Sequence, residues 1–323
     1  MEEIISPTRM SKEASDTITA FKLISLVTIT YTKYVKSLQI DISLCKETLL
    51  SGWMCVVFML SLPIICNIKI EETHWYGILK RTYAYVCSYL LLDHYIDCPE
   101  VSKQDKIALL RLIQKDDGEL CDESSSSSKA VEVYKKLLTL KKDLVATTED
   151  ANYLARLLKS IVKSYTAQNK TEKTLKQYLK TCKSKGGMTV LCGVRLIYKK
   201  AMDSMTDRDL IGLGYCIQLF DDIIDCSSDI RSGISTACTS LVTRRKKLDN
   251  MFFVLVYKTF TLSNTFAVYG FVIRQALYYS SERSKHYSLR FRKALSLYPK
   301  KYVSKEEKFQ ETMETFLQDV YKD

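Results

Sequence analysis

Helix breakers are scarce in this chain. Its 323 residues hold 10 glycines and 4 prolines, too few to punctuate a many-turned β protein, whose reversals lean on both residues. Long helices are what such a sequence builds easily, and apolar residues recur at helical spacing along most of it. With 46% hydrophobic and 26% charged residues, the composition is that of a core-burying protein.

The periodicity predicts an all-α fold, one helical domain over residues 1–323 of about ten to twelve helices packed as a bundle. Residues 1–15 read as a loose N-terminus. Helices are predicted over Asp16–Leu38, Ile40–Ile65, Thr73–Tyr95 and Ser102–Ile113. Asp116-Asp117-Gly118 and the run Ser124 to Ser128 predict a solvent loop over 116–129. Beyond it come Val131–Leu144, Asp150–Tyr165 and Thr171–Lys183, then a break at Lys185-Gly186-Gly187. Thr189–Met202, Asp207–Cys226, Met251–Phe260 and Thr265–Tyr279 follow, with charged segments at Arg283–Lys293 and Ser304–Lys322. Arg283–Lys293 is expected as a solvated face, with a lid as the alternative.

The stretch 48–68 carries no charge and is long enough to span a bilayer. Ser51, Gly52, Ser61, Pro63 and Asn67 interrupt it, so a buried helix broken at Pro63 is expected. Peripheral contact of this region with lipid stays open, and a membrane-associated scaffold is the function it would serve. Eleven cysteines occur without a C-x-x-C pair, which fits buried free thiols in a reducing, cytoplasmic setting. The acidic start Met1-Glu2-Glu3 gives no expectation of a secretory signal. The net charge of +11 favours anionic partners. No zinc-finger spacing or repeated basic helix accompanies it, so nucleic acid is not an expected partner and a phosphorylated small molecule is.

Two segments carry the chemistry. Leu90-Leu91-Leu92-Asp93-His94-Tyr95-Ile96-Asp97 and Gln218-Leu219-Phe220-Asp221-Asp222-Ile223-Ile224-Asp225 each end an apolar run with aspartates at i and i+4. That spacing puts both carboxylates on one helix face. Like charges there repel, and carboxylates among apolar neighbours need a cationic partner. With only three histidines, a hard divalent ion suits this set better than zinc. A solvated helix face is the plain alternative for either pair alone.

The second segment resembles the class I isoprenoid synthases, which comprise trans-prenyltransferases, squalene-type synthases and class I terpene synthases. Gly214, Gln218, Asp221, Asp222 and Asp225 match that family's G-x-x-x-Q-x-x-D-D-x-x-D, and Asp229 falls where another acid is common. Lys185-Gly186-Gly187 is similar to the family's upstream segment whose lysine meets diphosphate. The first segment departs from D-D-x-x-D, because His94 replaces the middle acid while Asp93 and Asp97 remain. The motif-level likeness spans roughly residues 75 to 240.

The resemblance implies three Mg²⁺, with Mn²⁺ as a substitute, held by Asp93, Asp97, Asp221 and Asp225, and Asp222 beside them. It implies an allylic prenyl diphosphate held also by Lys185, Gln218 and Arg231. The carbocation left by ionisation would be kept dry in a central apolar cavity, for which Tyr89, Tyr95, Tyr215 and Phe220 are the aromatic candidates. Core packing is the plain alternative for each ring. A homodimer is also among the family's habits.

The branch is decided by what is missing. Condensing prenyltransferases grip a second diphosphate with G-K-x-x-R-P and with an Arg-Arg pair after the first motif. Here Ser102 and Lys103 stand after it, and Lys80 and Arg81 are the nearest basic pair before it. A single-substrate terpene synthase is therefore favoured, although its usual N/D-D-x-x-S-x-x-x-E form is absent: Ser228 is present and the glutamate is not. The alternatives are a condensing prenyltransferase and a non-catalytic partner subunit of the same fold.

Overall fold

Every regular element among the described residues is helical. The computed structural model describes residues 27–38, 42–98, 100–114, 128–168, 174–289 and 291–292. The expected loose N-terminus, most of the 116–129 loop and the Ser304–Lys322 segment lie outside them. In chain order the helices are α1 (27–37), α2 (Ile42–Ile65), α3 (Trp75–Asp97), α4 (Lys103–Gln114), α5 (Ser128–Leu144) and α6 (Thr148–Gln168). They continue as α7 (Leu175–Tyr198), α8 (Asp207–Ile224), α9 (Cys226–Ser232), α10 (Ala237–Thr243), α11 (Asp249–Phe260) and α12 (Ala267–Arg283).

The order of burial follows from sequence spacing. On α1, Val27, Tyr31 and Val35 recur every four residues and are all buried, the single stripe of an outer helix. On α3, every residue from Thr82 to Leu92 except Tyr89 is buried, so this helix runs through the middle of the bundle, packed by α2, α5 and α7. Two of its buried hydroxyls are paired within the helix. Thr82 donates to the Ile78 carbonyl at 2.8 Å and Ser88 to the Ala84 carbonyl at 2.7 Å, which removes the cost of burying them.

Two of the expected breaks are corrected. Pro63 does not break α2, which ends two residues later at Ile65. A proline leaves the carbonyl four residues earlier without its N–H partner. Here Tyr198 of α7 supplies the hydroxyl, donating to Met59 O at 2.5 Å. The helix then closes with Ile68 N–H on Pro63 O at 2.8 Å and Asn67 N–H on Ile64 O at 3.1 Å, while Asn67 takes the left-handed conformation, φ 53°, that this closure requires.

The second correction concerns Gly186-Gly187. The chain does not break there; α7 runs on from a capping box at Thr174 and Gln177 to Tyr198. Interior glycines cost a helix about 1 kcal/mol each, and here they admit a neighbour. A side chain on Gly186 would strike the backbone of Gly214 in α8, and one on Gly214 would strike Gly186. The two helices therefore touch backbone to backbone at this crossing. Arg195, in the last turn of α7, ties the connection to α8, donating to Met202 O at 3.1 Å and Met205 O at 2.7 Å and pairing with Asp207 at 3.0 Å.

α8 joins two regions of core. Leu210 and Leu213 pack with α1–α7, whereas Leu219 and Ile223 pack with α10–α12. α12 ends at Arg283, and Tyr287 and Phe291 beyond it are buried against Phe252, anchoring that end of the Arg283–Lys293 segment. No single helix among the described residues is long and apolar enough to cross a membrane; the bent pair Asp249–Phe260 and Asn264–Ser281 meets the test of length and composition together.

Candidate functional site

Asp93 and Asp97 end α3, and Asp221 and Asp222 lie in the last turn of α8, with Asp225 capping it. All five line one cleft of about 160 Å³. The α8 face adds Gln218 and the following short helix adds Asp229. Lys185 enters from α7, one turn beyond Cys182 and two beyond Tyr178, which share its face. The far wall is the segment Ile234–Ala237, which the chain reaches by turning at Gly233, φ 70°, a left-handed position that glycine takes without strain. Tyr178 and Ser235 join their hydroxyls at 2.7 Å, tying that wall to α7.

The electrostatics are one-sided. Both aspartate clusters sit at C-terminal helix ends, where the backbone dipole already presents negative charge. Six carboxylates line the cleft, and Lys185 is the one basic side chain among the residues that do so. Burial, then the Asp93 charge, pushes Asp97 up to about 6. Burial also lifts Asp222 to about 6, although Gln218 Nε2 donates to it at 3.1 Å. Asp221 and Asp229 are pushed up to about 7, first by the walls that exclude water and then by Asp222 and Asp225. Burial works to lower Lys185, but Asp93, 2.7 Å from its ammonium, more than reverses this and holds it well above its ordinary value.

Arg231 stands exposed on α9 and does not line the cleft. Tyr95 and Tyr215 are buried in the core, and Phe220 packs partly buried beside α8's other neighbours. Tyr89 lies within reach of the acids' charge: burial and then Asp93 raise its hydroxyl. Behind it, the Cys55 thiol of α2 is pushed up to about 11 by burial and by Asp221 and Asp93. Neither Tyr89 nor Cys55 is among the residues that line the cleft, whose walls are mostly polar. The basic pair before the first motif serves packing instead: Arg81 donates to Ile197 O at 2.8 Å, capping α7, and Lys80 pairs with Asp143 at 2.8 Å. Among the described residues, Cys55, Cys66, Cys87, Cys98, Cys182, Cys192, Cys216, Cys226 and Cys238 are free thiols.

The sequence did not announce Tyr178, Thr181, Cys182, Ser164 or the Ile234–Ala237 wall. Tyr178, Cys182 and Lys185 do recur at i, i+4 and i+7, a signal hidden by the break expected at the glycines.

The donor set fits a hard cation. Six carboxylates and the Gln218 amide supply hard oxygens beside the cleft's hydroxyls, and their charge exceeds what one lysine offsets. Among the described residues no three His, Cys, Asp or Glu side chains gather closely enough to hold one ion by themselves. Mg²⁺ ordinarily keeps several waters and takes one or two carboxylates together with substrate phosphate oxygens. No known protein family, curated protein or solved structure matches this chain.

Proposed function

We propose that the cleft binds the diphosphate of an allylic prenyl substrate together with Mg²⁺, and that the protein is a class I terpene synthase. Carrying this reading is the convergence of two aspartate helices, distant in sequence, on one cleft with Lys185 between them. Asp93, Asp97, Asp221 and Asp225 would hold the metal ions, which draw charge off the departing diphosphate when bound. Lys185 binds a terminal phosphate oxygen. Gln218, which donates to both Asp221 and Asp222, holds those carboxylates in the orientation the site needs. The Tyr178–Ser235 bond keeps the outer wall closed over the head group and limits access of water to the cation.

The prenyl chain would extend inward past Tyr89 toward Cys55. The cleft of about 160 Å³ takes the head group, so space past Tyr89 must open to admit the chain. A single lysine at the cleft, with Lys80 and Arg81 engaged elsewhere, supports a site for one diphosphate and so favours the synthase over a condensing prenyltransferase. The test is release of inorganic diphosphate from allylic substrates of ten, fifteen and twenty carbons with Mg²⁺, with products identified by gas chromatography. No release from any of them would reject the reading, and chain elongation on adding isopentenyl diphosphate would move it to the prenyltransferase.

A further inference from the structure

We propose that Lys185 is an internal competitor for the cation position at Asp93, drawn away by the diphosphate head group, so that metal and substrate bind cooperatively. This rests on the metal and diphosphate reading above and adds to it an order of events. The Lys185 ammonium lies 2.7 Å from Asp93 Oδ1, with side-chain exposures of 12% and 26%. An ammonium withdrawn this far from water needs a partner, and separating the pair leaves each charge uncompensated. The lysine cannot retreat with its helix, because the next residue, Gly186, is locked against the Gly214 backbone. A cation arriving alone must therefore displace an ammonium that already holds Asp93.

A diphosphate changes that balance. Its oxygens give the ammonium a new anionic partner inside the same cleft, and Asp93 is freed for the cation. Whatever one ligand gains from the other, the other gains equally. If Lys185 only neutralised Asp93 for the sake of the fold, its removal would raise metal affinity through charge alone, and a diphosphate would not narrow that difference.

The test is Mn²⁺ binding, followed by the electron paramagnetic resonance of the free ion, to the whole protein and to Lys185→Gln, with no phosphate present. Lys185→Gln should bind Mn²⁺ about tenfold more tightly, inside the range of ordinary coupling. Methylenediphosphonate, compared at equal free Mn²⁺, should strengthen binding to the parent several-fold more than to the variant. Equal or weaker binding by the variant would overturn the competition while leaving the metal site standing. No Mn²⁺ bound by either protein would remove both. An independent measurement on the parent is mass-spectrometric acetylation of Lys185, which should be slow alone and several-fold faster with Mn²⁺; an unchanged rate would likewise overturn the proposal.

Discussion

Gly186 and Gly214 face each other across α7 and α8 with their backbones in contact, and neither position has room for a Cβ. This crossing sets Lys185 beside the aspartates of α8 and makes the cleft a cleft. Gly186→Ala gains about 1 kcal/mol of helix propensity but forces the helices apart, an overpacking cost of about 1–3 kcal/mol. Urea denaturation should show net destabilisation of roughly 1–2 kcal/mol. Gly212→Ala is the control: its nearest neighbour is Leu262 at 3.6 Å, so it should be neutral or slightly stabilising.

Asp93→Asn and Asp221→Asn should each lower diphosphate release by about 100-fold or more, the scale of losing one electrostatic contact to the leaving group. Because Asp221 is crowded by Asp222 and Asp225, Asp221→Asn removes a repelling charge and should melt at or above the parent's temperature without metal. Loss of activity accompanied by loss of helical circular dichroism would contradict this assignment.

The pH dependence of stability has a definite sign. Asp97 and Asp222 are raised to about 6, and Asp221 and Asp229 to about 7, so the folded protein binds these protons more tightly than the unfolded chain. Their contribution is fully present below pH about 4 and is lost as pH rises through about 6 to 7. Buried Asp222 alone would account for roughly 1–3 kcal/mol. Melting in a chelator should therefore show these groups weakening the fold toward neutral pH, and Asp222→Asn should flatten the curve. Mg²⁺ should restore the loss, because it binds the deprotonated carboxylates.

Tyr178→Phe removes the hydroxyl bonded to Ser235 at 2.7 Å. The expected cost in stability is about 0.5–1.5 kcal/mol. A larger effect is expected on products: a loosened outer wall admits water, so gas chromatography should show a greater share of alcohol over hydrocarbon. An unchanged product ratio would show that the wall does not govern water access.

The helical character was legible because it depends on local spacing and on few breakers. Most predicted ends fall within a few residues of those observed, as with Asp207–Cys226 against Asp207–Ile224. The aspartate pairs were legible for the same reason: i and i+4 on one helix share a face wherever that helix goes. Pro63 and Gly186-Gly187 misled, because a breaker breaks only when nothing else satisfies the backbone or fills the gap. Tyr198, far along the chain, answers for Pro63, and α8 occupies the space over Gly186.

By itself, then, the sequence determined which stretches are helical and which carboxylates travel together, since both follow from the 3.6-residue turn. Only tertiary structure decided that α3, α7 and α8 meet where their acids and Lys185 share one cleft. It also decided that Tyr178 and Ser235 close its wall, while Arg231 stays outside. Packing between distant helices is a property of the whole bundle, and no local window of the chain contains it.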